Sequence, residues 1–530
     1  MSARTKYASY ELLAPRHRDW PNRRLDRPPV WASVDLRDGN QSLRKPMSMD
    51  QRIRFFLDLV AMGFREIEVG FPLASETDRM FIRTLAERGL VPNNVIPQVM
   101  APAKTEHLRA AVDAVAGLPR AIIQLYNPTS PAQRRTVFRS DRHAILRLAV
   151  DAARELAELR TLTDTQLMLQ YAPESFTQTE PDFALEVCNA VLEVWQPTRA
   201  DGTRINLPAT VECFPPNEFA DRVEMFDRGL LRRGEITLSV HPHNDRGTAV
   251  AAAELAVLAG ADRVEGTVGG QGERTGNVCL VTLAMNLFSQ GIDPGLDLSY
   301  VRRAPDIVAE YYGAQISPKH PWIGEDAFTS MAGSHQDAIA KGLLERAVDD
   351  EQIWDVPYLL IDPGDIGRNY SSIVRFTAQS GKGGVGFLLR SSYSLEPPAE
   401  LLADFSGFLK DECDRYLGEA DAETALKLFE SRYCTAPLFG SGESDDGPGE
   451  EERDHDTSKL AQDFTIHTQS IGPNFWIAYL QNNDLDDKWK VGSGSSLHKS
   501  IRRALHKLAD VPKGTPVREG SEHAHAQGAH

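Results

Sequence analysis

From Val30 onward, short runs of apolar and β-branched residues alternate with longer stretches whose apolar positions recur at helical spacing. The short runs read as strands over Val30–Leu36, Glu66–Phe71, Val95–Met100, Ala121–Tyr126, Leu167–Tyr171, Ala209–Phe214, Thr237–Val240 and Arg263–Val268. Between them, helices are expected over Met49–Met62, Thr77–Arg88, Thr105–Ala116, Arg142–Leu159, Pro181–Trp195 and Thr248–Ala259. Eight such units in succession predict an α/β protein built on a (β/α)8 TIM barrel. A doubly wound open sheet is the rival architecture, but no nucleotide fingerprint follows the first strand.

The remainder divides by composition. Residues 1–29 are charged and proline-rich and are expected to form an arm, with the barrel at 30–296 and mainly helical subdomains at 297–436. An acidic, Gly/Ser-rich flexible linker is expected over 437–460, a small α+β domain over 461–515 and a disordered, histidine-containing tail over 516–530. In the small domain, strands are expected over Asp463–Thr468, Asn474–Leu480 and Trp489–Gly492, with a helix over Ser496–Ala509.

Net charge sharpens this picture. The 530 residues carry −17, and eight acidic residues and one Arg between Glu443 and Asp456 leave −10 for the rest. Such a chain is not expected to take nucleic acid or an anionic membrane as its main partner. Five widely spaced cysteines without a Cys-x-x-Cys, no apolar leader and no membrane-length apolar run predict a cytoplasmic protein without disulfides.

Candidate chemistry collects where a barrel places it, at the C-terminal ends of the strands. Strand seven runs into His241-Pro242-His243, whose imidazoles share one face because strand side chains alternate. A His-x-His can simply hydrogen-bond loop carbonyls, yet other strand ends add compatible groups. Strand one ends in Asp35-Leu36-Arg37-Asp38, strand four in Gln124-Leu125-Tyr126-Asn127, strand five in Pro173-Glu174, and strand six carries Thr210 and Glu212. Asp38 is the natural oxygen partner of the two imidazoles, and a His₂-carboxylate set with open positions suits Mg²⁺, Mn²⁺ or Zn²⁺. Such an ion can chelate a 2-oxo acid and polarise its ketone, and Arg37 could steady the developing alkoxide.

Ser33–Ser42 (SVDLRDGNQS), His241–Gly247 (HPHNDRG) and Gly272–Val278 (GERTGNV) resemble the 2-isopropylmalate synthase family. Gly333–Ile339, Val356–Leu359, Asp362–Arg368 and Gln379–Val385 extend the likeness from about Trp20 to Ala436. The resemblance implies a metal-dependent Claisen condensation of acetyl-CoA, as co-substrate, with a 2-oxo acid, 2-oxoisovalerate first. It implies that Asp38, His241, His243 and Asn277 hold the divalent ion, and that Arg37 and Thr210 face the oxo acid. Glu174, His335 and Tyr358 belong to the implied catalytic machinery, the last two reaching the partner's active site in a homodimer. A base removes a methyl proton from the acetyl group, the resulting nucleophile adds to the ketone, and water cleaves the thioester. His335 and Glu174 are the candidates for moving protons.

Several positions depart from the family pattern. Gln124 stands where a His is usual, Leu169–Glu174 replaces Phe-Glu-Tyr-Ser-Pro-Glu, and Gly269–Gly272 and Cys213–Pro216 also differ. Gln124 thus offers different donors to the acceptor, and an acid other than 2-oxoisovalerate is the alternative. Residues 460–510 resemble one of the two βββα halves of a leucine-binding regulatory domain, so weak or absent leucine inhibition is expected. A carbon–carbon lyase and a catalytically silent binding subunit are the competing readings; the region with His335 and Tyr358 argues against the first, and the full ligand set against the second.

Overall fold

The computed structural model describes residues 10, 12–13, 17–346, 353–368, 375–378, 380–434, 438, 464–472, 475–482 and 489–494. They belong to two compact units, 1–327 and 328–530. In the first, eight parallel strands close a barrel in chain order. These are β1 Val30–Ser33, β2 Glu66–Gly70, β3 Ile96–Pro102, β4 Arg120–Pro128, β5 Gln166–Glu174, β6 Arg204–Ala209, β7 Thr237–Pro242 and β8 Arg263–Gly266. Closure is made by β8 against β1, with Val30 opposite Arg263 and Ser33 opposite Gly266.

Helices cover the outside: α1 Met49–Ala61, α2 Glu76–Glu87, α3 Thr105–Val115, α4 Arg142–Arg160, α5 Pro181–Trp195, α6 Pro216–Gly229, α7 Ala249–Leu258 and α8 Leu280–Phe288. Their starts are written in the sequence. Ser48 and Gln51 form a capping box on α1, and Ser75 and Asp141 accept the amides of Asp78 and Ala144 on α2 and α4. Each helix buries one stripe, such as Phe55, Phe56 and Leu59 on α1 or Phe81, Ile82 and Leu85 on α2.

Strand alternation sorts side chains in an unusual way. Ile67, Val69, Val240 and Val264 are buried on the helix side, while Glu66, Glu68, Gln98, Asn206, Ser239, Arg263 and Glu265 fill the barrel interior. The interior is a hydrogen-bonded polar core rather than the usual aliphatic layers. Arg263, wholly buried, donates to Glu66 and Glu265 at 2.6 Å each and to Ser239 and Gln98 at 2.8 Å.

The sixth strand lies five residues earlier than expected, at Arg204–Ala209 instead of Ala209–Phe214. Its inward positions Arg204 and Asn206 are polar, and Pro208 interrupts the run, so the β-prone Thr-Val-Glu-Cys-Phe beyond it carries the stronger strand signal. That stretch is the loop leading to α6. Tyr311 stacks on Phe55 of α1 at 4.2 Å, so chain beyond residue 297 packs on the barrel unit.

The start of the chain is held by an acidic face of α6. Glu218, Asp221 and Glu224 are at most 1% exposed. Glu218 accepts the amide of Leu13 at 2.9 Å, and Glu224 those of Asp19 and Trp20 at 3.0 Å. Asp221 takes both Arg18 Nε and Nη2 at 2.6 Å and the Trp20 indole at 2.9 Å.

In the second unit, α9 Gly333–Arg346, α10 Lys382–Tyr393, α11 Ala399–Glu412 and α12 Ala422–Tyr433 accompany a short antiparallel pair, β9 Phe376–Thr377 with β10 Glu419–Ala420. A three-stranded antiparallel sheet follows: β11 Phe464–Gly472, β12 Phe475–Asn482 and β13 Trp489–Gly494. Ile477, Tyr479 and Val491 share one core with Leu388, Phe405 and Phe429 of the helices. The acidic stretch 439–463, the helix expected over Ser496–Ala509 and the tail 516–530 lie outside the described residues. Among the described residues no helix is long and apolar enough to cross a membrane.

Candidate metal centre

After β1 the chain enters one wide turn, Asp35–Gly39, in which the Val34 carbonyl receives the amides of Arg37, Asp38 and Gly39 at 3.2, 2.9 and 3.2 Å. Such i→i+5 turns recur at functional sites. Here the turn directs consecutive side chains, Arg37 and Asp38, into the barrel mouth. Both are buried, at 8% and 2% exposure. Arg37 Nη1 donates to Asp38 Oδ1 at 2.9 Å and Nε to Glu68 at 2.6 Å.

β7 supplies His241, and the residue just past it, His243, keeps the same face. Their ring centroids are 5.1 Å apart, and both Nε2 atoms face Asp38 Oδ2, at 3.7 and 3.8 Å. The other ring nitrogens are anchored. His241 Nδ1 donates to Glu265 at 2.8 Å, and His243 Nδ1 to the Gly276 carbonyl at 3.2 Å. An imidazole fixed through Nδ1 turns its Nε2 toward the cluster, the arrangement found behind metal-ligating histidines.

Donor atoms of Asp38, His241 and His243 lie within 4.8 Å of one another, and among the described residues they form the one such cluster. Asn277 joins it from the loop after β8. Its Nδ2 donates to Asp38 Oδ2 at 2.6 Å, while its Oδ1 is buried with no hydrogen-bond partner. A stranded carbonyl oxygen beside a carboxylate and two presented imidazoles fits a divalent cation, which satisfies all four at once. Gly272 makes the approach possible: at φ 143°, a Cβ there would lie 2.1 Å from Asn277 Nδ2.

The charges are interlocked. Burial alone would raise the Asp38 carboxyl, but the Arg37 guanidinium and the imidazoles override it and hold the group far below the usual range. Burial likewise opposes the His241 charge, yet Asp38 and Glu265 carry its pKa up to about 9. Burial, followed by the neighbouring His241 charge, drives His243 down to about 4. Below about 9, therefore, an ion must displace the His241 proton. Apparent Mn²⁺ affinity is expected to rise about tenfold per pH unit up to that value and then level off. Calorimetry at pH 7.5 in two buffers of different ionisation enthalpy should register one proton released; no release would contradict a protonated His241 in the ion-free protein.

Other expected site residues are distributed as follows. Glu174 ends β5 and is partly buried; burial raises its carboxyl above the ordinary value, while Gln133 and Arg37 partly offset this. Thr210, just past β6, accepts the Ser175 amide at 2.9 Å, which fixes the backbone next to Glu174. Gln124, inside the barrel on β4, accepts hydrogen bonds from Gln170 and, at 3.2 Å, from Asn206. Glu212 accepts from the Arg246 amide and pairs with Thr248, so it holds the β7–α7 connection. His335 and Tyr358 lie in the second unit, stacked on each other at 3.9 Å and 20°.

The sequence reading missed Glu68 and Glu265, the two acids that orient Arg37 and His241. Their signal is an acid two residues from a charged neighbour inside a short strand, Glu66-Ile67-Glu68 and Arg263-Val264-Glu265. It is discounted when barrel interiors are expected to be apolar.

A closed eight-stranded barrel whose mouth gathers a buried carboxylate, two imidazoles and an arginine is the architecture of a barrel enzyme with a candidate cation site. The profile of the HMGL-like family matches residues 29–308, and that of the alpha-isopropylmalate synthase post-catalytic domain matches 325–390. The 2-isopropylmalate synthase of Ralstonia nicotianae (strain ATCC BAA-1114 / GMI1000) is 50% identical over 433 residues, which is 82% of this chain and 75% of that protein. That of Azotobacter vinelandii is 47% identical over 432 residues, 81% and 77% respectively. The chain belongs to the 2-isopropylmalate synthase family.

Proposed function

We propose that the protein condenses acetyl-CoA with a 2-oxo acid, 2-oxoisovalerate as first choice, to give 2-isopropylmalate and free CoA. The observation that carries this reading is the Asp38–His241–His243 cluster with the buried Arg37 guanidinium at its edge. Asp38, His241, His243 and Asn277 would hold the divalent ion, Mg²⁺, Mn²⁺ or Zn²⁺. When bound, it supplies Lewis-acid polarisation of the acceptor ketone. Arg37, locked by Glu68, stands ready beside the oxygen that gains charge, at no reorganisation cost. Thr210 and the Gln124 carboxamide orient the acid. Glu174, with its raised carboxyl, moves protons together with His335 and Tyr358, which we assign to the partner protomer of a homodimer.

Several observations support the finer points. The post-catalytic match spans both His335 and Tyr358. All five cysteines are free, which supports a reducing, cytoplasmic setting, and the likeness to 2-isopropylmalate synthases supports a place in leucine biosynthesis. The Gln124–Gln170 pair beside Asn206 favours a second reading, the same condensation on a different 2-oxo acid, because amides there can serve a more polar side chain.

The test is CoA release, followed with a thiol reagent, from acetyl-CoA and Mn²⁺ with 2-oxoisovalerate, pyruvate, 2-oxobutyrate, 2-oxoglutarate, oxaloacetate and phenylpyruvate. Preference for 2-oxoisovalerate is expected; no release with any acid would sink the assignment. Glu174 also sets a pH expectation. A base with a raised pKa loses its active form at higher pH than an exposed glutamate does. The acid limb of kcat/KM should therefore lie above the ordinary 4.5 and vanish in the residual activity of Glu174→Gln.

A further inference from the structure

Asp35 and Tyr312 stand outside the ion site yet touch the element that builds it. Asp35 is fully buried at the start of the turn that carries Arg37 and Asp38. Among the described residues its carboxylate meets no cation and is held by neutral donors. Tyr312 Oη donates to Oδ1 at 2.5 Å, Ser33 Oγ to Oδ2 at 2.7 Å, and the Val268 amide to both oxygens at 3.1 and 3.2 Å. Val268 begins the loop that ends in Asn277, so this one carboxylate joins the two chain segments that bring Asp38 and Asn277 to the ion.

Tyr312 sets the third point of that junction. It comes from beyond the barrel, with its ring edge-on to Phe55 at 5.9 Å. Its hydroxyl fills the space beside Gly39, where a Cβ would lie only 2.3 Å away. The last residue of the turn is therefore seated against Tyr312, and its first residue is bonded to it. Neighbouring Tyr311 makes a similar bond, at 2.6 Å, but to Asp58 of α1 and not to the turn.

We propose that Tyr312 is a positioning residue for the ion: through Asp35 it ties the Asp35–Gly39 turn to the loop bearing Asn277, and so sets the spacing of Asp38 and Asn277. The inference rests on reading Asp38, His241, His243 and Asn277 as the ion's ligands. Losing a residue that orients a ligand typically weakens metal binding by about 10–100-fold. Tyr312→Phe removes only the hydroxyl, and Tyr311→Phe is the matched control for the loss of a buried tyrosine hydrogen bond in the same segment.

The experiment titrates the metal-stripped full-length protein with Mn²⁺ by calorimetry and records the thermal midpoint of each metal-free variant. The expected result is a Kd raised about 10–100-fold in Tyr312→Phe and unchanged in Tyr311→Phe, with similar metal-free midpoints in the two. Equal Mn²⁺ affinity in wild type and Tyr312→Phe would overturn the proposal, as would equal weakening in both variants, which would mark a general loss of packing. If wild type itself binds no Mn²⁺, the ligand assignment fails, an outcome distinct from either of these.

Discussion

Asp38→Ala is expected to lose stoichiometric ion binding and to lower kcat/KM by about 10³-fold or more, because the Lewis-acid contribution at stake is several kcal/mol. Asp38 is the carboxylate that both presented imidazoles face, and Asn277 and Arg37 also converge on it. Without it, three positively inclined groups and a carbonyl oxygen remain, a set that repels a cation instead of binding it. The loss should be selective. Glu68 still anchors Arg37 and Glu265 still anchors His241, so the barrel should stay folded. Metal content after dialysis, measured beside kcat/KM, decides the matter. A variant that keeps one ion per chain would show that the ion is held elsewhere.

The second large effect concerns stability. Arg263→Met is expected to destabilise the barrel unit by about 3–5 kcal/mol, since it strips a buried guanidinium from partners that stay buried. Glu66 and Glu265 each lose a 2.6 Å charged contact, and Ser239 and Gln98 each lose a donor. For a unit of 327 residues this corresponds to a fall of roughly 4–7 °C in the midpoint of its unfolding transition. Adding Glu66→Gln should restore part of the loss, because it removes a charge left short of partners. A single-variant shift below about 2 °C would mean that the interior relaxes or admits water at little cost.

Much of the architecture was legible because barrel strands and helices differ in period. The alternation located seven of eight strands closely, and period two placed His241 and His243 on one face. Strand six was not legible, because Asn206 and Pro208 break the pattern that an apolar interior would require. The same cause hid Glu68 and Glu265. A strand that turns acids inward looks like a weak surface strand until its neighbours supply an arginine and three amides. Tyr312 was illegible for another reason. It meets Asp35 across 277 positions of sequence, and no local pattern records so distant a contact. Asp38 and Asn277 came instead through the family resemblance and the chemistry of their residue types.

The acidic face of α6 that holds Leu13, Arg18, Asp19 and Trp20 has a consequence for the order of assembly. The arm leaves the ribosome before its dock, which lies about 200 residues later, since Arg18 and Asp221 are separated by 203 positions. The arm must therefore wait, undocked, while six strands and the five helices between them are synthesised. Loop closure over such a span adds little free energy but delays the contact until the intervening chain has folded. Burial of the Trp20 indole thus marks a late step in maturation, and its fluorescence would time the completion of the sixth β–α unit.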